Sequence, residues 1–173
     1  MAGNDVFRFD DTDRELGFHP VENPTPRRLT PDQVARFNRD GFLSPLPGLD
    51  AEQTESFRHY FDWLINEVVS ADDRRNSYSI NNYHQVCQRM HDLIRTPVFV
   101  EYATDILGPE TVCWSVHAFC KLPGDGMEIP LHQDADYWPF TPTKSVTVWL
   151  AVDDVSAEPE PGRSASSSAA AGC

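Results

Sequence analysis

No stretch of this sequence approaches the roughly 20 consecutive apolar residues that a bilayer-spanning helix needs. MAGNDVFRFDDTDRELG at the start has no apolar core following a basic beginning. A membrane span and an export signal are therefore not expected, and the expected compartment is the cytoplasm. Cations are also scarce, with 14 Lys and Arg against 27 Asp and Glu and a formal net charge of −13 at pH 7. A surface that acidic repels phosphate backbones and anionic headgroups alike. Neither nucleic acid nor a membrane is an expected partner. Cysteine is sparse and never spaced C-x-x-C. Cys87, Cys113, Cys120 and Cys173 read as free thiols rather than as disulfides or a zinc site. No internal repeat of roughly 20 to 50 residues points to a solenoid.

What is present is a globular composition. With 40% hydrophobic and 24% charged residues the chain is not of the disordered class, and 14 prolines imply many loops. Its 173 residues suit one domain, and nothing in them fixes an oligomeric state. Residues 1–28 mix charges with Pro20, Pro24 and Pro26 and show no period, so they read as an extended arm. Order is expected from LTPDQV. Thr30 is placed to cap a helix over 31–40, Pro31 fits its first position, Gln33 can complete a capping box, and Leu29 and Val34 stand at staple positions. Gly41 suits its left-handed end. A second helix is expected over 51–69, with Phe57, Tyr60, Phe61, Leu64, Ile65, Val68 and Val69 on one stripe. A short helix around Met90, Leu93 and Ile94 precedes another over 97–107, which Thr96 caps and Gly108 and Pro109 stop.

From Thr111 the period changes to 2. Val112, Trp114, Val116, Ala118, Cys120 and Leu122 alternate with Cys113, Ser115, His117, Phe119 and Lys121, which predicts a strand over 111–122. SVTVWLAV predicts another over 145–152, and Leu131 to Tyr137 reads as extended. Helices followed by strands favour an α+β domain with an antiparallel sheet. EPEPGRSASSSAAAGC has no large apolar residue, so residues 157–173 read as a disordered low-complexity tail after a domain over 29–156.

LHQDADYW sets His132 and Asp134 two residues apart, and on an extended backbone such residues point to one side. An imidazole and a carboxylate converging there are two-thirds of the 2-His-1-carboxylate facial triad that holds iron(II) with open positions for co-substrate and dioxygen. Spacing alone leaves a solvated loop histidine beside loop carboxylates as the bland alternative.

The stretch from about Leu29 to Ser156 resembles the N-terminal part of the phytanoyl-CoA dioxygenase family of iron(II) and 2-oxoglutarate-dependent hydroxylases. The resemblance is carried by LTPDQVARFNRDGFL, by FCKLPGDG and above all by HQDADYWPFTPTKSVTVWLAVDD. It implies a double-stranded β-helix, or jelly roll, with N-terminal helices packed against one side and the metal in its mouth. It further implies His132 and Asp134 as iron ligands and Lys121 near the carboxylates of 2-oxoglutarate, with O2 as oxidant. Gln133, Tyr137 and Trp138 become candidates for the substrate pocket, with ordinary packing as the other reading of the aromatic pair. The halogenating relatives carry a small residue in place of the carboxylate, so Asp134 points to hydroxylation.

Where relatives continue through an Asn-Gly turn and a Pro-Gly-Ser-His segment to a distal histidine and an arginine that grips the co-substrate, this sequence has neither. No histidine follows His132, and Arg163 sits alone in the tail. The resemblance therefore implies a fold truncated after its first core strands, with a reading-frame shift near Glu158 to Gly162 as one origin. His117 shares a strand face with Lys121 and is a secondary candidate for the third ligand. His19, His59, His84 and His91 read as surface or capping residues. A chain so truncated is expected to bind iron weakly and not to couple 2-oxoglutarate decarboxylation to hydroxylation. The competing reading is a non-catalytic fragment or pseudoenzyme that acts only by binding.

Overall fold

A computed structural model describes residues 13–15, 17–68, 80–118, 138–142 and 144–154. Helix α1 (Pro31–Asp40) begins with the full capping box: the Thr30 hydroxyl accepts from the Gln33 amide at 3.2 Å, and the Gln33 side chain accepts from the Thr30 amide at 2.8 Å. It ends at Gly41, whose φ of 78° is the left-handed geometry that glycine adopts at least cost. Helix α2 (Ala51–Trp63) starts with the same device, built from Asp50 and Gln53, and its last turn widens into a π-turn over Leu64–Val68. After β1 (Ile80–Asn81) and a 3₁₀ turn (Tyr83–Gln85) come α3 (Gln88–Ile94) and α4 (Pro97–Leu107), then β2 (His117–Ala118).

The expected helices over 31–40 and 97–107 are present with those bounds, and α2 with its π-turn covers 51–68 of the expected 51–69. Thr96 occupies the N-cap position of α4, yet its side chain makes no cap bond. Its hydroxyl instead donates back to the Asp92 carbonyl at 3.4 Å.

Strand structure is shorter than the alternation predicts. Among the described residues the ladder is a two-stranded antiparallel one, pairing Ile80 with Ala118 and Asn81 with His117. Residues 111–116 and 144–152 carry no ladder assignment. Period-2 patterning favours extended backbone, but a strand exists only where a neighbour takes its N–H and C=O groups. The part of the expected first strand beyond 118 and the extended run 131–137 lie outside the described residues. Among the described residues the structure is mainly helical.

Asn82 sets the edge of the short ladder. Its φ of 61° is left-handed, its amide donates to the Val116 carbonyl at 2.8 Å, and its side-chain oxygen accepts from Ser115 Oγ and the Val116 amide.

Two apolar clusters hold these elements together. In the first, Phe57, Leu64, Tyr83 and Met90 are buried, with Val116, Ala118 and Val152 packed against them, so β2 and the 144–152 segment both rest on α2. Arg58 adds an ion pair to Asp153 at 2.7 Å. The second comprises Leu29, Val34, Val98 and Tyr102, which brings the expected staple pair Leu29 and Val34 together with α4.

Among the described residues, the arm is tied down at several points. Val21 exchanges two hydrogen bonds with the Asn38 side chain, at 2.7 and 3.1 Å. The amides of Arg27, Arg28 and Leu29 all donate to the Asp105 carboxylate at 2.8–2.9 Å. Asp105 is only 3% exposed. Burial works against its charge, but the three backbone donors outweigh that penalty and hold its pKa below the ordinary carboxylate value. Val98, Tyr102 and Asp105 fall on one face of α4, and a carboxylate on such a face persists only if fully bonded.

Candidate functional site

His132, Asp134, Gln133, Tyr137 and Lys121 lie outside the described residues. Among the described residues no group of three His, Cys, Asp or Glu side chains is arranged to hold a metal. The donor set the sequence offers, a neutral imidazole and a carboxylate, has the chemistry that iron(II) accepts.

The structure does place the residues that flank this motif in the chain. Trp138 follows Asp134 by four positions and is half-buried. Its ring packs against Phe140 with centroids 6.0 Å apart, and Phe140 meets Trp114 edge to face at 4.9 Å. The aromatic character of YWPF is thus used, at least in part, to join the chain after the motif to the run that leads into β2. Trp114 remains 57% exposed and Val112 86%, although the alternation pattern puts both with the packed Val116 and Ala118. The two residues precede the ladder and are not drawn onto the first cluster.

On the other side of the motif, β2 carries His117. Its neighbours Val116 and Ala118 pack inward on the first cluster, whereas His117 is exposed and points to the opposite face, the face that the alternation gives to Lys121. Of the remaining histidines, His59 is exposed and lies 3.0 Å from Glu55, and His19 Nε2 lies 3.4 Å from Glu15.

The segment after Trp138 is also fixed from a direction that sequence patterning does not show. Arg14 Nη1 donates to the Trp138 carbonyl at 2.9 Å, and the Glu15 amide donates to Thr141 Oγ1 at 3.2 Å. A small cavity of about 20 Å³ lies between Phe18 and Val21 of the arm, Ile106 of α4, and Lys144 and Ser145, with room for about one water. The signal that could have exposed this arrangement was Asp105, a charge on the α4 face that also carries the buried Val98 and Tyr102.

A second polar cluster sits on α2. The Tyr60 hydroxyl is hydrogen-bonded with Cys87 and, chiefly through burial, has its pKa raised. Arg89 lies 5.0 Å over the Tyr60 ring and donates to Ser56. This is a packing joint between α2 and α3, and both Cys87 and Cys113 are free thiols. Among the described residues no helix is long and apolar enough to cross a membrane.

Comparison with curated proteins yields no match, and comparison with solved structures yields none either. Comparison with family sequence patterns does yield one, to phytanoyl-CoA dioxygenase, over residues 17–159. That range takes in the anchored part of the arm, all four helices, β2, the His132–Asp134 motif and the 144–152 segment. Since the match covers most of the chain, the protein belongs to the phytanoyl-CoA dioxygenase family.

Proposed function

We propose that this chain carries part of the site of an iron(II) and 2-oxoglutarate-dependent oxygenase that hydroxylates a small organic molecule, with His132 and Asp134 as two of the metal ligands and the distal histidine and co-substrate arginine of the family not supplied by this sequence. The observation that carries this reading is the family match, which runs through the motif and through Lys121 on the same chain. Bound iron(II), with 2-oxoglutarate as co-substrate, supplies the oxidising chemistry that no side chain can provide.

The chain's own residues bind and orient. His132 must be neutral to offer a ring lone pair and Asp134 must be ionised, so metal binding weakens as pH falls into the titration range of either group. Lys121 is the cation for the co-substrate carboxylates, a useful role in a chain of net charge −13. Gln133, Tyr137 and Trp138 neighbour the ligands in sequence and are the candidates for substrate contact, through an amide, a phenol and an indole. A carboxylate at 134 would serve as a metal ligand where halogenating relatives carry a small residue, which supports hydroxylation over halogenation.

The reading is tested anaerobically, by the visible charge-transfer absorption that an iron(II) chelate of a 2-oxo acid produces. With two protein ligands and no co-substrate arginine, wild-type protein should give the band only at iron(II) and 2-oxoglutarate concentrations high enough for weak binding. Asp134→Ala should abolish it, and Lys121→Ala should require more 2-oxoglutarate to reach it. A band of equal strength in Asp134→Ala would remove Asp134 from the metal site.

A further inference from the structure

We propose that the N-terminal arm is a strap that holds the chain leaving the His132–Asp134 motif, with Arg14 and Glu15 as positioning residues. This inference rests on the functional reading above for the role of the motif, and on the described residues for the strap itself.

The arm has two firm anchors. Asn38 on α1 grips Val21 through both its main-chain groups, and Asp105 on α4 takes the amides of Arg27, Arg28 and Leu29. Beyond these anchors the arm runs on past Phe18 and His19, which face Lys144 and Ser145 across the small cavity. It then reaches Trp138 and Thr141 through Arg14 and Glu15. These contacts join residues 124 and 126 positions apart in sequence. The Arg14 bond ends on a main-chain carbonyl, so it fixes the course of the chain rather than a rotamer. Four residues of chain span at most about 14 Å, so fixing Trp138 limits where Asp134 can lie. Arg14 and Glu15 act through Trp138 and Thr141.

The test uses the full chain with Arg14→Ala and Thr141→Val combined, which removes a donor and an acceptor near the surface and leaves both apolar clusters intact. Trypsin cleavage after Lys144 reports the freedom of the held segment, and cleavage after Arg39 at the end of α1 is the internal control. Loss of two hydrogen bonds should speed cleavage at Lys144 about tenfold and leave Arg39 unchanged. Cobalt(II), used as the probe metal, should bind about tenfold more weakly. Arg14→Lys with Thr141 intact keeps a charged donor for the Trp138 carbonyl and should recover most of both effects, which a merely structural disturbance would not show. Unchanged cleavage at Lys144 would overturn the strap. Faster cleavage with unchanged cobalt affinity would overturn the positioning role. Wild-type protein that binds no cobalt would instead count against the functional reading, and the cleavage rates would still decide the strap.

Discussion

Asp105 shows how much one side chain can organise. Its two carboxylate oxygens take three consecutive backbone amides of the arm, and hydrogen bonds to a charged acceptor are each worth about 1.5–3 kcal/mol. Asp105→Ala leaves those donors without their acceptor, and we expect a loss of about 3–4 kcal/mol in urea unfolding. The pH dependence has a definite sign. The folded pKa is lowered, so this contribution is full above the unfolded carboxylate value of about 3.9 and is lost as pH falls below it through the folded value. The urea midpoint of the wild type should therefore drop between about pH 4 and lower pH more steeply than that of Asp105→Ala; parallel curves would contradict the assignment. Asn82 makes a second case. Asn82→Gly keeps the left-handed backbone and loses the side-chain bonds to Ser115 and Val116, whereas Asn82→Ala loses both. We expect about 1 kcal/mol for the first and about 2 kcal/mol for the second, read from thermal or urea midpoints.

At the scale of elements, capping gives a paired prediction. Thr30→Ala removes a working cap and should cost about 1 kcal/mol. Thr96→Ala occupies the equivalent position of α4 but removes no cap bond, so it should cost less than about 0.5 kcal/mol. Equal denaturation midpoints for the two variants would contradict the geometry.

The same contrast shows what patterning could and could not reveal. Thr30, Gln33 and Gly41 act within a few residues of one another, so the start and end of α1 were readable from local chemistry alone. Thr96 likewise precedes a proline, but Phe99 stands where α1 has Gln33, so no capping box can form, and its hydroxyl bonds back to the Asp92 carbonyl. Alternation from Thr111 marked extended backbone correctly at His117 and Ala118, yet whether the rest becomes strand depends on partners far away in sequence. Of the candidate site, His132 and Asp134 were legible as a motif because their spacing is local. Arg14, Asn38 and Asp105 were not, because each acts on a residue at long separation that no period encodes.

On the scale of the whole molecule, one apolar cluster gathers α2, α3, β2 and the 144–152 segment, and a second gathers α1 and α4 into the support to which the arm is anchored. The arm links that support to the chain following the metal motif. The central claim is that His132 and Asp134 form the metal centre of a phytanoyl-CoA dioxygenase family member. Its most direct test is an anaerobic titration of the full chain with iron(II), comparing wild type with His132→Ala, Asp134→Ala and His117→Ala. The account predicts one ion per chain, with affinity reduced at least about 10-fold to 100-fold by either motif substitution and unchanged by His117→Ala. Equal affinity in wild type and Asp134→Ala, or a loss confined to His117→Ala, would contradict it.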